Sequence, residues 1–158
     1  MLRILICCGG GFSSSALMNQ LNRDAKLKGI DEKAKFIFCP FTMVKEMREH
    51  RGGRANLFTM FNADEADDYD VAMLCPHLVH KLKEVEGYFE HPLYVIPPKL
   101  YGLMDPEAFL EDAEDVLEIW KNNGGKTNWI TFEEEPVPMR IRRTTSHRRW
   151  LQEQQNKK

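Results

Sequence analysis

The stretch Leu5-Ile6-Cys7-Cys8-Gly9-Gly10-Gly11-Phe12-Ser13-Ser14-Ser15 runs an apolar segment into two thiols, three glycines and three serines. Its first part has the make-up of a buried strand and the residues after it that of a helix, so the glycines form a strand-to-helix turn. Glycines there let successive backbone N–H groups converge on one point, and the first turn of the helix adds unpaired donors and the positive end of its dipole. The expected product is an anion cradle built from Gly9, Gly10, Gly11, Phe12, Ser13, Ser14 and Ser15. A thiol in its mouth should ionise readily, because helix N-termini bring a cysteine pKa from about 8.5 to roughly 3.5–7.5. Strand alternation sends Cys7 and Cys8 to opposite faces; Cys8, which abuts the glycines, is read as the exposed nucleophile and Cys7 as core. Spacing alone also fits a buried structural cysteine at an ordinary turn. The Gly-Lys-Ser/Thr ending of a Walker loop is absent, and the second strand ends in Cys39-Pro40 rather than in the acidic residue of a dinucleotide site.

Working outward, residues 2–7 read as the first strand and 13–28 as a helix carrying Ala16, Leu17, Leu21 and Ala25, ended by Gly29. A second strand is expected over 34–38 and a possible helix over 41–50. Arg51-Gly52-Gly53-Arg54 and the acidic run 64–70 mark a flexible insertion at about 45–66. Residues 69–74, apolar throughout, predict a third strand covered on both faces. Residues 77–87 predict a helix, 93–96 a fourth strand, 99–104 a loop, and 105–123 a long acidic helix with Asp105 as cap and Pro106 at its first position. Gly124-Gly125 closes the body.

Strands alternating with helices at this interval imply a parallel sheet whose ligands bind at the carboxyl ends of the strands. The chemically able residues all fall there: Cys8 after the first strand, Cys39 after the second, Cys75 and His77 after the third, Lys99 and Tyr101 after the fourth.

At 158 residues the chain has room for one domain with a core of its own. Residues 1–125 carry 14 Lys/Arg against 20 Asp/Glu, whereas 126–158 carry 8 against 4, so an acidic body precedes a basic extension. No apolar run reaches membrane-spanning length and no signal-peptide pattern opens the sequence, which predicts a cytoplasmic protein with free thiols rather than disulfides.

The loop Cys8-Gly9-Gly10-Gly11-Phe12-Ser13-Ser14-Ser15 is similar to the Cys-x-x-Gly-Met-Ser-Thr-Ser of the IIB components of the lactose/cellobiose (chitobiose) class of the bacterial sugar phosphotransferase system. Asp70-Val71-Ala72-Met73-Leu74-Cys75-Pro76-His77 resembles that family's Asp-Val-Val-Leu-Leu-Gly-Pro-Gln, and Leu100-Tyr101-Gly102 resembles its Leu-Tyr-Gly. The likeness covers roughly residues 1–123. It implies an α/β, flavodoxin-like three-layer sandwich with a four-stranded parallel sheet of order 2-1-3-4 and a phosphatase-like loop after strand 1. It implies that Cys8 takes a phosphoryl group from a phosphohistidine IIA protein and passes it to sugar bound by the membrane IIC component. No metal or cofactor is expected, and membrane attachment would come through IIC alone. Residues 1–125 would form the phosphocysteine domain and 126–158 an extension. The possible rim of the site comprises Cys39, Pro76, His77, His80 and Tyr101. Cys75 and His77 depart from the family's glycine and glutamine, and Phe12, in place of methionine, offers a docking surface or an apolar cover.

Low-molecular-weight phosphatases, with their Cys-x5-Arg-Ser/Thr loop, are a competing likeness, but Ser14 occupies the arginine position. Without that arginine a cysteinyl phosphate should hydrolyse slowly, which favours transfer. A regulatory or thiol-redox sensor on the same scaffold is the alternative, using a disulfide from Cys8 to Cys39 or Cys75. Zinc is disfavoured because Cys8, Cys39, Cys75 and His77 lack close ligand pairing. Arg140, Arg142, Arg143, Arg148 and Arg149 with Trp129 and Trp150 form a basic tail read as a solvated extension with a short helix from about Ser146; it could dock an acidic partner, and nucleic acid is not expected.

Overall fold

The structure, a computed structural model, describes residues 1–8, 11–41, 69–85, 87, 89–122, 124, 125, 129, 130, 153 and 155–157. The elements run β1 (Leu2–Cys8), α1 (Gly11–Leu27), β2 (Ala34–Pro40), β3 (Val71–Leu74), a 3-10 helix (Pro76–Lys81), α2 (Leu82–Val85), β4 (Leu93–Val95), α3 (Pro98–Leu103), α4 (Pro106–Asn122) and β5 (Trp129–Ile130). The strands form one parallel sheet of order β2-β1-β3-β4-β5. The expected 2-1-3-4 order is present, and β5 adds a fifth strand beyond it, Trp129 and Ile130 lying alongside Leu93 and Tyr94. A two-residue strand has no periodicity to betray it in sequence.

Both faces of the sheet are covered, which is why its strands are apolar without alternation. On one face Ile4, Ile6, Cys8, Val71, Met73, Cys75, Tyr94 and Ile96 pack under α1 and α4, with Phe36 meeting Phe109 edge-on at 6.0 Å between ring centroids. On the other, Leu5, Cys7, Ile37, Cys39, Ala72, Leu74, Leu93 and Val95 pack under Leu78, Leu82 and Val85. Each such fully buried aliphatic side chain is worth about 1.5–3 kcal/mol, so the β1–β3 centre of the sheet anchors the domain.

The helix ends follow local chemistry. Gly29, at φ +68°, closes α1: its N–H donates to the Lys26 carbonyl at 3.2 Å and that of Ile30 to Ala25 at 2.9 Å, the paired bonds of a left-handed cap. Gly124, at φ +66°, and Gly125 repeat the arrangement for α4, donating to the carbonyls of Lys121 and Trp120. Asp105 caps α4 as its sequence predicts, accepting from the Glu107 N–H at 3.2 Å, and its carboxylate also receives Lys28 Nζ at 2.8 Å. β2 lies at the edge of the sheet. Its outward backbone at Phe36 is clamped by Asn22 of α1, which donates to the Phe36 carbonyl at 2.8 Å and accepts its N–H at 3.0 Å.

Two expectations are corrected. The loop at 99–104 is helix α3, because Pro98 sits at the first helical position, where the missing N–H costs nothing, and Pro97 is extended before it. The helix expected over 77–87 opens as a 3-10 helix, the chain turning straight off β3 at Cys75-Pro76 with the Leu78 N–H donating to the Cys75 carbonyl at 3.0 Å. The insertion, the helix expected over 41–50 beyond Phe41, and the tail apart from Trp129, Ile130, Glu153 and residues 155–157 lie outside the described residues.

Candidate functional site

Cys8 ends β1 at the carboxyl edge of the sheet, and the 17-residue helix α1 begins three residues later at Gly11. Its neighbour β3 carries the chain to the same edge. The Cys75 N–H donates to the Cys7 carbonyl at 3.0 Å, extending the ladder one step past β3 and bringing Cys75 beside Cys8 on the α1 face. From there Pro76 starts the 3-10 helix and folds His77 over the strand ends, placing Nε2 3.3 Å from Cys8 Sγ. Tyr101 enters from α3, its ring edge-on to the His77 imidazole at 6.1 Å.

Cys8 is therefore not the exposed thiol that alternation and the adjacent glycines predict. Both it and Cys7 are 0% exposed, because Cys8 is the last residue of a central strand and is roofed by chain returning from β3. His77, whose Nε2 lies on that buried sulfur, is itself exposed.

The groups around Cys8 keep their protons. A hydrogen bond from Cys75 to Cys8, with burial and the proximity of the Cys8 charge behind it, pushes the Cys75 thiol far above the ordinary thiol range. Burial chiefly, then the Cys75 and Cys8 charges and a hydrogen bond to Cys8, raises the Tyr101 phenol. Both act as donors toward one sulfur. That favours charge on Cys8 rather than on its neighbours.

Of the other residues expected at the site, Cys39 is not at Cys8. It lies on the opposite face beside Cys7, its register partner, and its hydrogen bond with that thiol, with burial, raises Cys7. A Cys8–Cys39 disulfide would have to pass through the sheet. Pro76 positions His77, and His80 follows one 3-10 turn later, exposed. Gly9 and Gly10 lie outside the described residues. Residues 11–15 form the first turns of α1, their side chains not described. Among the described residues no group of three or more His, Cys, Asp or Glu is arranged to hold a metal ion, and no helix is long and apolar enough to cross a membrane. Reading 99–104 as a loop hid the element that delivers Tyr101; Pro98 was the available signal.

No curated protein sequence matches the chain. Among solved structures, the lactose-specific IIB component domain of the phosphoenolpyruvate:carbohydrate phosphotransferase system from Streptococcus pneumoniae is similar at 14% identity and a TM-score of 0.39, with 77% of this chain and 95% of that chain covered. The family model described as "PTS system, Lactose/Cellobiose specific IIB subunit" matches residues 3–112, from β1 through the Cys8 cluster into α4. With that match over more than half its length, the chain belongs to the lactose/cellobiose-specific IIB family and is a phosphoryl-transfer component of a sugar phosphotransferase system.

Proposed function

We propose that Cys8 is the phosphoryl acceptor, taking the group from a phosphohistidine on a IIA protein and passing it to sugar held by a membrane IIC component. The observation that carries this reading is the position of Cys8: a thiol at the carboxyl end of a central parallel strand, three residues before the start of a long helix, in a chain of the IIB family. The thiolate attacks phosphorus, the P–N bond breaks as the S–P bond forms, and the imidazole leaves with a proton on its other nitrogen. Backbone N–H groups at the start of α1 face the charge on the transferring oxygens. Because Cys8 is fully buried, transfer requires the groups covering its sulfur to move aside. Incubation with a phosphorylated IIA partner should place one acid-stable, iodine-labile phosphate on Cys8. Phosphate accepted at the normal rate by Cys8→Ser would overturn the assignment.

The hydrogen bond from Cys75 to Cys8 favours a second reading, a thiol-redox sensor on the same scaffold. A peroxide would convert the Cys8 thiolate to a sulfenic acid, releasing an alcohol or water, and attack by Cys75 would expel water and close a disulfide. Intact mass after peroxide treatment decides it: loss of two hydrogens reversed by reductant supports the sensor, and a clean phosphoprotein that resists peroxide opposes it.

A further inference from the structure

We infer that His77 is a catalytic residue of this carrier, the group that accepts the Cys8 proton before transfer and faces the phosphocysteine as an imidazolium afterwards. The inference rests on the proposed phosphorylation of Cys8 and deepens it.

Three observations carry it. His77 Nε2 stands 3.3 Å from Cys8 Sγ, within proton-transfer reach of the atom that reacts. Cys8 itself is 0% exposed, and burial penalises its charged form unless a neighbouring cation or donor stabilises it. His77, by contrast, is exposed as a residue while its Nε2 lies on the sulfur. It is a bridge from a buried thiol to the protein surface. The edge-on Tyr101 ring and the Pro76-started turn fix its direction.

Two other described groups facing Cys8 cannot serve. Cys75, at the end of β3, and Tyr101, on α3, hold their own protons more firmly than usual and act as donors toward a Cys8 thiolate. A different role for His77, as a second phosphoryl acceptor, fails on geometry. In-line displacement needs the nucleophile on the far side of phosphorus from the leaving sulfur, and Nε2 touches the sulfur itself. In the forward step the S–H bond breaks and an N–H bond forms on His77. The thiolate then displaces the donor imidazole from phosphorus, and the retained imidazolium lies beside the phosphoryl oxygens.

His77→Gln keeps a polar side chain over Cys8 but can neither take the proton nor carry charge. The ultraviolet absorbance of thiolate, taken as the difference from Cys8→Ser, should show the Cys8 step moving up by about one pH unit or more in His77→Gln. Superimposable titrations would overturn the inference. With a phosphorylated IIA protein as donor, His77→Gln should accept phosphate at least about tenfold more slowly near neutral pH and recover as pH rises past the thiol pKa. A loss equal at all pH values, or no loss, would also overturn it. A wild type that takes no phosphate on Cys8 would sink the carrier reading alone, since the thiolate titrations decide the Cys8–His77 pair without a partner.

Discussion

At the scale of single residues, Cys8 and Cys75 meet because two separate strand ends bring thiols to one place. Cys75 is the residue to vary there. With its thiol pushed up by its bond to Cys8, it is a donor while Cys8 carries charge, and it can resolve a sulfenic acid only once oxidation of Cys8 removes that charge. Cys75→Ser should therefore abolish any peroxide-driven loss of two hydrogens and leave Cys8 to gain oxygen instead, as intact mass will read. Tyr94 makes a second test in the core. Its phenol donates to the fully buried Asp112 carboxylate of α4, and Tyr94→Phe should cost about 1–3 kcal/mol in urea denaturation. The place of Cys8 at the end of the first strand, just before a helix, was legible from the glycines after it. Its burial was not, because Cys75 and His77, which come to lie beside it, are some seventy residues on, and only the return of the chain from β3 decides where they land.

At the scale of elements, the ends of α1 and α4 were legible where one residue type does one job: Asp105 and Pro106 at a start, Gly29 and Gly124 at stops. Helix α3 was not, since Pro97-Pro98 reads equally as the end of a strand or the start of a helix. The Asn22 clamp was equally hidden, because nothing local in α1 shows that Asn22 will meet an edge strand. It gives the edge strand β2 a hydrogen-bonding partner on its outer side at Phe36. Asn22→Ala should cost about 1–3 kcal/mol and speed hydrogen exchange at the Phe36 amide. Lys28 ties α1 to the start of α4 through Asp105 and Glu107. The hydrogen bond to Asp105, chiefly, raises its ammonium pKa against a smaller opposing effect of burial. The group is bound more tightly to its proton when folded, so its contribution is complete below the unfolded lysine value of about 10.4 and fades as pH rises through the raised value. With the side chain 40% exposed, Lys28→Met should cost less than ~1 kcal/mol at neutral pH, and the gap from wild type should close in alkaline denaturation.

At the scale of the whole molecule, the strand order followed from the alternation of apolar segments and helices, while β5 depended on where a short piece after α4 comes to rest. The boundary placed at residue 125 is consequently a proposal with a measurable edge. Truncation after Gly125 should keep the β1–β3 centre folded, because its core lies within residues 4–116, while the β4 amides at Leu93 and Tyr94 exchange faster once Trp129 and Ile130 are gone. The division of the cysteines between the two faces reaches further. Cys7 and Cys8 are chain neighbours, yet each has its own sulfur companion across a hydrogen-bonded wall of backbone. Thiol–disulfide scrambling between the two compartments would require β1 to be torn out of the sheet. The rear couple, Cys7 and Cys39, is thereby quarantined from events at the front, and its oxidation state becomes an internal witness to whether the protein has ever come apart.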